Sequence, residues 1–367
     1  MNIEIGIIGL PQSGRTTLFN ALTAGEADTS KHPQEGVAHV GVARVADSRL
    51  NVLTDVLKPQ KTVPITVSYI DIGASVKGLV EGKGIGGQLL AQLSKVDALI
   101  NVVREFQDDS IPATEGSLDV ARDVSTMNLE LTFSDLAIIE RRLGRIEESL
   151  KGAKPTERQL VLREQQLLTK IKSGLEDEIP IREQTLTPEE IKAISNFQFL
   201  TAKPLLIVVN IGENSLPDAR NMEAELGSTF SQPKCRVIAL CGKLEMELAQ
   251  LDSDTAATWR GEFGLTESGF DRVISASYEL LGLVTFFTIA SAEVRAWPVT
   301  DSTEAPVAAG KIHTDMERGF IRAEVISFDD LVKCGSLAEA RKRGLLRTEG
   351  KTYTVQDGDV ITFLFNV

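Results

Sequence analysis

Residues 9–17 read Gly-Leu-Pro-Gln-Ser-Gly-Arg-Thr-Thr, and this stretch constrains the fold more than any other. Gly9 and Gly14 allow a tight turn whose backbone N–H groups, with the N-terminus of a following helix, converge on one anion. The spacing is that of a phosphate-binding loop, G-x-x-x-x-G-K-[ST], with Arg15 in the lysine position. Ahead of it, Ile3, Ile5, Ile7 and Ile8 form a β-branched run suited to a central parallel strand. Behind it, Leu18, Phe19 and Leu22 recur at helical spacing over Thr16–Ala24. Such a loop between a buried strand and a helix demands an α/β domain. Thr16 offers a hydroxyl to magnesium and Thr17 follows it. Arg15 keeps the positive charge, but a planar guanidinium does not replace a compact ammonium, so phosphate binding is expected to survive better than rate.

Other strand candidates recur at Val63–Ile70, Ala98–Val103, Pro204–Val209 and Arg236–Leu240, separated by helical or glycine-rich segments. This alternation predicts a doubly wound parallel sheet. Between the second and third of these the texture changes. Leu136, Ile139, Leu143, Ile146 and Leu150 alternate three and four apart with charges between them, an a/d seam. A second helical stretch, Thr156–Leu175, follows the break at Gly152 and Pro155, so a coiled-coil hairpin is expected as an insertion. Thr187-Pro188-Glu189-Glu190 has the N-cap, first-turn proline and capping-box glutamate of a third helix. From about Gly282 alternating runs at Arg322–Ser327, Thr352–Val355 and Val360–Phe365 surround a short helix near Leu337–Arg343, which suggests a small mixed β domain. The expected organisation is a nucleotide-binding domain over 1–128 and 198–281, a helical insertion over 129–197, and a C-terminal domain over 282–367.

A chain of 367 residues with 42% hydrophobic residues has enough apolar side chains for two or three cores. No apolar run reaches the roughly 18 residues of a membrane span, and the N-terminus lacks a signal-like pattern. A cytoplasmic protein without a membrane partner is expected. Cys235, Cys241 and Cys334, with His32, His39 and His313, show no metal-ligand spacing. A formal charge of −13 opposes nucleic-acid binding through the whole surface and sequence-specific DNA recognition, so any RNA contact must use a local patch. Arg341, Lys342, Arg343, Arg347 and Lys351 form one candidate, with a solvated helix end as the equal alternative. Trp297 and Phe320 read as packing residues.

Two elements strengthen the phosphate-loop reading. Asp71 follows the strand candidate Val63–Ile70, where a P-loop enzyme places a carboxylate that reaches magnesium. Asn210 follows Pro204–Val209 and opens Asn210-Ile211-Gly212-Glu213, the position of the N-x-x-D base-recognition motif. Glu213 in place of aspartate and Ile211 in place of lysine weaken a guanine preference. Gly82-Lys83-Gly84-Ile85-Gly86-Gly87 matches a dinucleotide fingerprint, but no buried strand leads into it, and a second switch loop is the better account.

Taken together, these motifs closely resemble the YchF family of Obg-related P-loop NTPases. The resemblance runs over nearly the whole chain, through Gly9–Thr17, Asp71, Lys77–Gly87, Asn210–Glu213 and Cys241–Leu248. It is densest at Glu293–Trp297, Ile312–Val325 and Gln356–Asp359. It implies a G domain with a coiled-coil insertion and a C-terminal TGS domain of β-grasp form. It also implies preference for ATP over GTP, slow hydrolysis with Mg2+, and association with the ribosome or ribosomal RNA. By this resemblance Gly9, Gly14, Arg15, Thr16 and Thr17 would hold phosphates, Thr16 and Asp71 would serve the metal, and Asn210 and Glu213 would shape the base pocket. Cys241 falls in the base-side loop or is a buried structural cysteine.

The departures lie at the chemistry. Family members have lysine at Arg15 and D-x-x-G where Asp71-Ile72-Gly73-Ala74 stands, as though the last two residues were exchanged. They also have a threonine in the first switch loop, where Gln34–Val37 offers none, and Ser75 replaces a hydrophobic residue. Catalytic residues proper stay unassigned. The expected function is a translation-associated nucleotide switch with impaired hydrolysis. The alternative is a non-hydrolysing scaffold that binds RNA or protein.

Overall fold

A computed structural model describes residues 3–23, 38–72, 87–108, 117–151, 155–290 and 292–366. They fall into two compact units, one made of Ile3–Val42 and Ser68–Val273, the other of Ala43–Val67 with Ile274–Val367. The chain runs β1 (Ile3–Ile8), α1 (Arg15–Thr23), β2 (Ala38–Arg44), α2 (Ser48–Leu57), β3 (Lys61–Val63), β4 (Thr66–Ile72), α3 (Gly87–Leu93) and β5 (Ala98–Glu105). Next come the helices α4 (Val120–Leu150), α5 (Pro155–Glu176) and α6 (Pro188–Ile194), and the chain re-enters the sheet with β6 (Leu205–Ile211). It closes the first unit with α7 (Ala219–Thr229), β7 (Cys235–Leu240), α8 (Gly242–Leu248), α9 (Ser253–Glu262) and α10 (Gly269–Leu280), the last of which continues into the second unit.

The first sheet has the order β2-β4-β1-β5-β6-β7. The strands β1, β5, β6 and β7 pair in parallel, in a register that sets Ile8 beside Asn101 and Asn210 beside both Arg104 and Leu240. All seven residues of β6 are buried, as expected of a central parallel strand covered on both faces. Because the chain leaves β1 toward one side of the sheet and later occupies the other, the carboxyl ends of these strands form the crevice where α/β sheets bind ligands.

The single helix α4 serves two cores. Its first half places Val120, Val124, Met127 and Leu131 against the sheet residues Leu99, Val103, Ile207 and Val209. Its second half turns Ile139 and Ile146 to Leu168, Ile171 and Leu175 of α5, with Leu136, Leu143 and Leu150 packed alongside. The predicted seam is therefore the face that packs the hairpin. Arg142 adds a bidentate contact to Glu164, at 2.7 and 2.8 Å. The capping box of α6 is present: Thr187 Oγ1 accepts from Glu190 N, and Thr187 N donates to Glu190 Oε2 at 2.8 Å.

The second unit is built on a mixed sheet in the order β11-β10-β12-β8-β9-β3. It adds β8 (Leu283–Ala290), β9 (Glu293–Thr300), α11 (Ala305–Ile312), α12 (Thr314–Arg318), β10 (Phe320–Ser327), α13 (Phe328–Cys334), α14 (Leu337–Lys342), β11 (Arg347–Glu349) and β12 (Asp359–Phe365). The pair β8–β9 is antiparallel, as is β10–β12, while β12–β8 and β3–β9 are parallel. Phe286, Phe320, Val325, Ile361 and Phe363 form its core with Ala305, Ala308 and Ala309 of α11. Trp297 packs against this core and donates Nε1–H to Thr288 Oγ1 at 2.9 Å. Phe320 and Trp297 are thus packing residues, as the sequence suggested. Arg49, in the first turn of α2, donates to Asp357 at 2.7 Å, which helps to explain why residues 43–67 group with the C-terminal segment.

Two strand expectations need correction. The run Val63–Ile70 is not one strand, because Pro64 lacks an N–H and separates β3 from β4, which then belong to different sheets. The run Thr352–Val355 is not a strand either. Thr354 makes an isolated bridge to Glu304, the Val355 side chain is buried in the core, and the neighbouring strand is β11 at Arg347–Glu349.

One buried acid holds the hairpin's base. The fully buried Asp135 accepts from Leu200 N at 2.9 Å, Thr201 N at 2.8 Å and Thr201 Oγ1 at 2.6 Å. Desolvation pushes its pKa up to about 6, against the pull of those three donors. Asp135→Ala leaves two buried amides without an acceptor and should cost about 2–4 kcal/mol in urea unfolding. A loss below about 1 kcal/mol would contradict this role.

Candidate functional site

The predicted site residues converge at the carboxyl ends of β1, β4, β6 and β7. After β1, Gly9 has φ +158, and a Cβ there would lie 2.5 Å from the carbonyl oxygen of Val102. Gln12 adopts φ 63 and Gly14 φ +88, both in the left-handed region. A Cβ on Gly14 would run into Nδ2 of Asn210. Both glycines are therefore required by geometry, one for close approach to β5 and one for its dihedral and its neighbour. The helix α1 starts at Arg15, with Leu18 N donating to Gly14 O at 2.9 Å, and Thr17 lies in its first turn.

Asp71 gathers the cationic side of the loop. It sits one residue before the end of β4 and is 2% exposed. Arg15 Nε donates to Asp71 Oδ1 at 2.8 Å, and Thr16 Oγ1 donates to Asp71 Oδ2 at 2.8 Å. Arg15 Nη1 also reaches the carbonyl of Gly9 at 3.3 Å. A buried carboxylate requires a compensating partner, and here the two consecutive residues that open α1 supply it.

On the other side, Asn210 acts as a strut. Its Nδ2 donates to Ser13 O at 3.0 Å and its Oδ1 accepts from Gly242 N at 3.0 Å. The side chain thus ties the phosphate loop to the N-terminus of α8 from a position in β6. Cys241 is the N-cap of α8 and 3% exposed, and burial pushes its thiol pKa up. Its burial agrees with the structural-cysteine alternative. Glu213 opens a 3-10 turn that ends at Asp218, and Lys243 Nζ donates to its Oε1 at 3.3 Å. The Glu213 carboxylate is thereby paired with a lysine on the exposed surface.

Thr16 and Asp71 are the donors a magnesium ion would draw on. Both oxygens of Asp71 already accept a protein donor, one of them a cation, so this pair fits a divalent ion poorly. Among the described residues no group of three or more His, Cys, Asp or Glu could hold a metal. The Gly73–Ser75, Gln34–Val37 and Gly82–Gly86 expectations fall outside the described residues; Gly87 begins α3.

Sequence reasoning missed the Arg15–Asp71 ion pair and the Lys243–Glu213 contact. For the five C-terminal cations it left a phosphate-contacting patch and a solvated helix end as equal alternatives, and three of the five lie close to carboxylates. Arg341 donates to Glu324 at 2.7 Å, Arg343 donates to Glu339 at 2.8 Å, and Arg347 lies 3.7 Å from carboxylate oxygens of Glu349 and Asp359. The signal available in sequence was local: Glu339 stands four residues before Arg343 and Glu349 two after Arg347.

Comparison with known proteins places this geometry. A family model for YchF-type GTPase C-terminal regions, described as a protein of unknown function (DUF933), matches residues 283–366. A model described as a 50S ribosome-binding GTPase matches residues 4–139. The "Ribosome-binding ATPase YchF" of Bacillus subtilis is 41% identical over 370 residues, covering 100% of both chains. The chain belongs to the YchF family. The YchF protein of Escherichia coli O157:H7 is 39% identical over 100% of both chains, and the "Obg-like ATPase 1" of Caenorhabditis elegans is 35% identical over 100% of this chain and 92% of its own. The structure of the Schizosaccharomyces pombe YchF GTPase superposes with a TM-score of 0.83 at 28% identity, covering 99% of this chain and 98% of that one. The α/β architecture with a parallel-sheet G domain is thus that of YchF proteins.

In this YchF chain the strut gives a direct test of the loop. Gly14→Ala must break the Asn210–Ser13 bond or distort the loop, and should lower stability by about 1–3 kcal/mol in denaturant unfolding. A change within about 0.5 kcal/mol would mean that Asn210 does not pack against Gly14.

Proposed function

We propose that this chain binds ATP in preference to GTP, hydrolyses it slowly, and works as a nucleotide-dependent switch on the ribosome in the cytoplasm. The observation that carries the reading is the strut at Asn210, which joins the phosphate loop to the base-side loop at 3.0 Å on each side. A chain that keeps these loops in register keeps the cradle for a nucleotide. Guanine is best read by a carboxylate free to accept from its amino and imino groups, whereas Glu213 is already paired with Lys243. Adenine offers an amino donor but no protonated ring nitrogen beside it, so it cannot make the paired amino and imino contacts by which such a carboxylate reads guanine.

The roles of this chain's residues follow from their positions. Backbone N–H groups of the loop and the first turn of α1 receive the phosphates, and Arg15 supplies positive charge. Asn210 holds the loop, while Cys241 and Gly242 border the base. Hydrolysis proceeds by positioning water against the γ-phosphate, without a covalent intermediate. The names of the relatives, ribosome-binding ATPases, support a ribosomal partner. The C-terminal unit, a TGS-like module by resemblance, is the proposed contact. Of its five clustered cations, Lys342 and Lys351 carry no ion pair among the described residues, so its electrostatic contribution is smaller than the sequence count suggests. The scaffold reading keeps one observation in its favour, the commitment of Asp71 to Arg15.

Calorimetry decides the nucleotide reading. ATP should bind at least as tightly as GTP, with micromolar or weaker affinity, about −8 kcal/mol or less favourable. A GTP affinity tenfold tighter than that for ATP would overturn the preference, and absence of heat with either up to millimolar concentration would leave the scaffold. Restoring Arg15→Lys together with Gly73→Ala and Ala74→Gly should raise single-turnover hydrolysis, each 1.4 kcal/mol regained giving about tenfold. No gain would place the defect elsewhere. For the ribosome, co-sedimentation across a salt series should weaken markedly when residues 282–367 are deleted, whereas Arg341→Ala with Lys342→Ala and Arg343→Ala should flatten the salt dependence only slightly. Undiminished binding of the truncated chain would move the contact to the helical hairpin.

A further inference from the structure

We propose that Arg15 is the built-in cation of this site, so that the chain binds nucleotide phosphates without a divalent ion. The inference rests on the nucleotide-binding reading above and extends it to the site's ion requirement. Arg15 Nε occupies Asp71 Oδ1 at 2.8 Å, and Thr16 occupies Oδ2 at the same distance. Asp71 is 2% exposed and the Arg15 side chain 11%, so the pair is shielded from water and little screened. A magnesium ion reaching this carboxylate would have to displace the guanidinium and then stand beside it, two cations competing for one anion. The displaced guanidinium would also leave the carbonyl of Gly9, which it holds at 3.3 Å.

The same contacts leave the arginine able to act on phosphate. Of the guanidinium's five N–H donors, the one on Nε and one on Nη1 are committed. The remaining three have no partner among the described residues. Arginine is suited to this double duty because its planar fork holds a carboxylate on one edge while its other N–H groups stay available to an anion. A lysine has one nitrogen for both tasks. The substitution therefore transfers the charge that a divalent ion would bring to the phosphates onto a side chain fixed by the fold.

The test compares ATP and ADP binding to the full chain by calorimetry in magnesium chloride and in EDTA. Wild type should bind each nucleotide with affinities within about threefold in the two media. The variants Arg15→Lys and Arg15→Gln, checked for folding by circular dichroism, should bind about tenfold or more weakly in EDTA than in magnesium, because Asp71 is released to serve an ion. Wild-type binding that falls tenfold in EDTA overturns the inference while leaving the nucleotide reading intact. Absence of binding in both media overturns the nucleotide reading and the inference with it. An Arg15→Gln variant that binds in EDTA as tightly as wild type also overturns the inference, since the cation would then be dispensable. The wild-type comparison stands alone if either variant fails to fold.

Discussion

A buried carboxylate cannot be left alone, and Asp71 at 2% exposure is the point around which the phosphate loop is arranged. It receives Arg15 and Thr16, the first two residues of α1, and so fixes how that helix departs from the loop. Asn210 does the corresponding work on the opposite side, holding Ser13 and Gly242. Between them these two side chains, from β4 and β6, span the sheet position of β1. The loop is held by neutralised charge on one flank and by a neutral amide on the other. Removing either partner of a shielded ion pair typically costs about 3–5 kcal/mol, so the arrangement is structural as well as chemical.

That double role explains how a phosphate loop can depart from its usual residues and keep its shape. Arginine at position 15 retains the charge that Asp71 needs and adds reach to the Gly9 carbonyl. What changes is the availability of the carboxylate. On the other flank Asn210 keeps both of its bonds, to Ser13 and to Gly242.

Much of this was legible in the sequence because it rests on local rules. Gly9 and Gly14 announce themselves through dihedrals and close approaches that other residues cannot meet, and the structure gives both. The seam from Leu136 to Leu150 and the capping box at Thr187 depend on spacing alone, and both are present. The failures involve partners remote in sequence. Arg15 and Asp71 are 56 residues apart, and nothing local tells an arginine in a phosphate loop to turn to a strand end. The break at Pro64 was visible, but its consequence, two short strands in two different sheets, depends on β9, which arrives more than two hundred residues later. Likewise the sequence could not decide between a patch and a solvated helix end for the C-terminal cations, because Glu324 on β10 and Asp359 on β12 are brought to Arg341 and Arg347 only by the fold.

The central claim is that these loops, held by Asp71 and Asn210, form a working nucleotide cradle. Hydrogen–deuterium exchange of the full chain with and without saturating ATP tests it most directly, because exchange reports on the backbone N–H groups assigned to the phosphates. The account predicts slowed exchange over Leu10–Thr17 and at Gly242, with the core of α5 unaffected. Unchanged exchange over Leu10–Thr17 at millimolar ATP would contradict it.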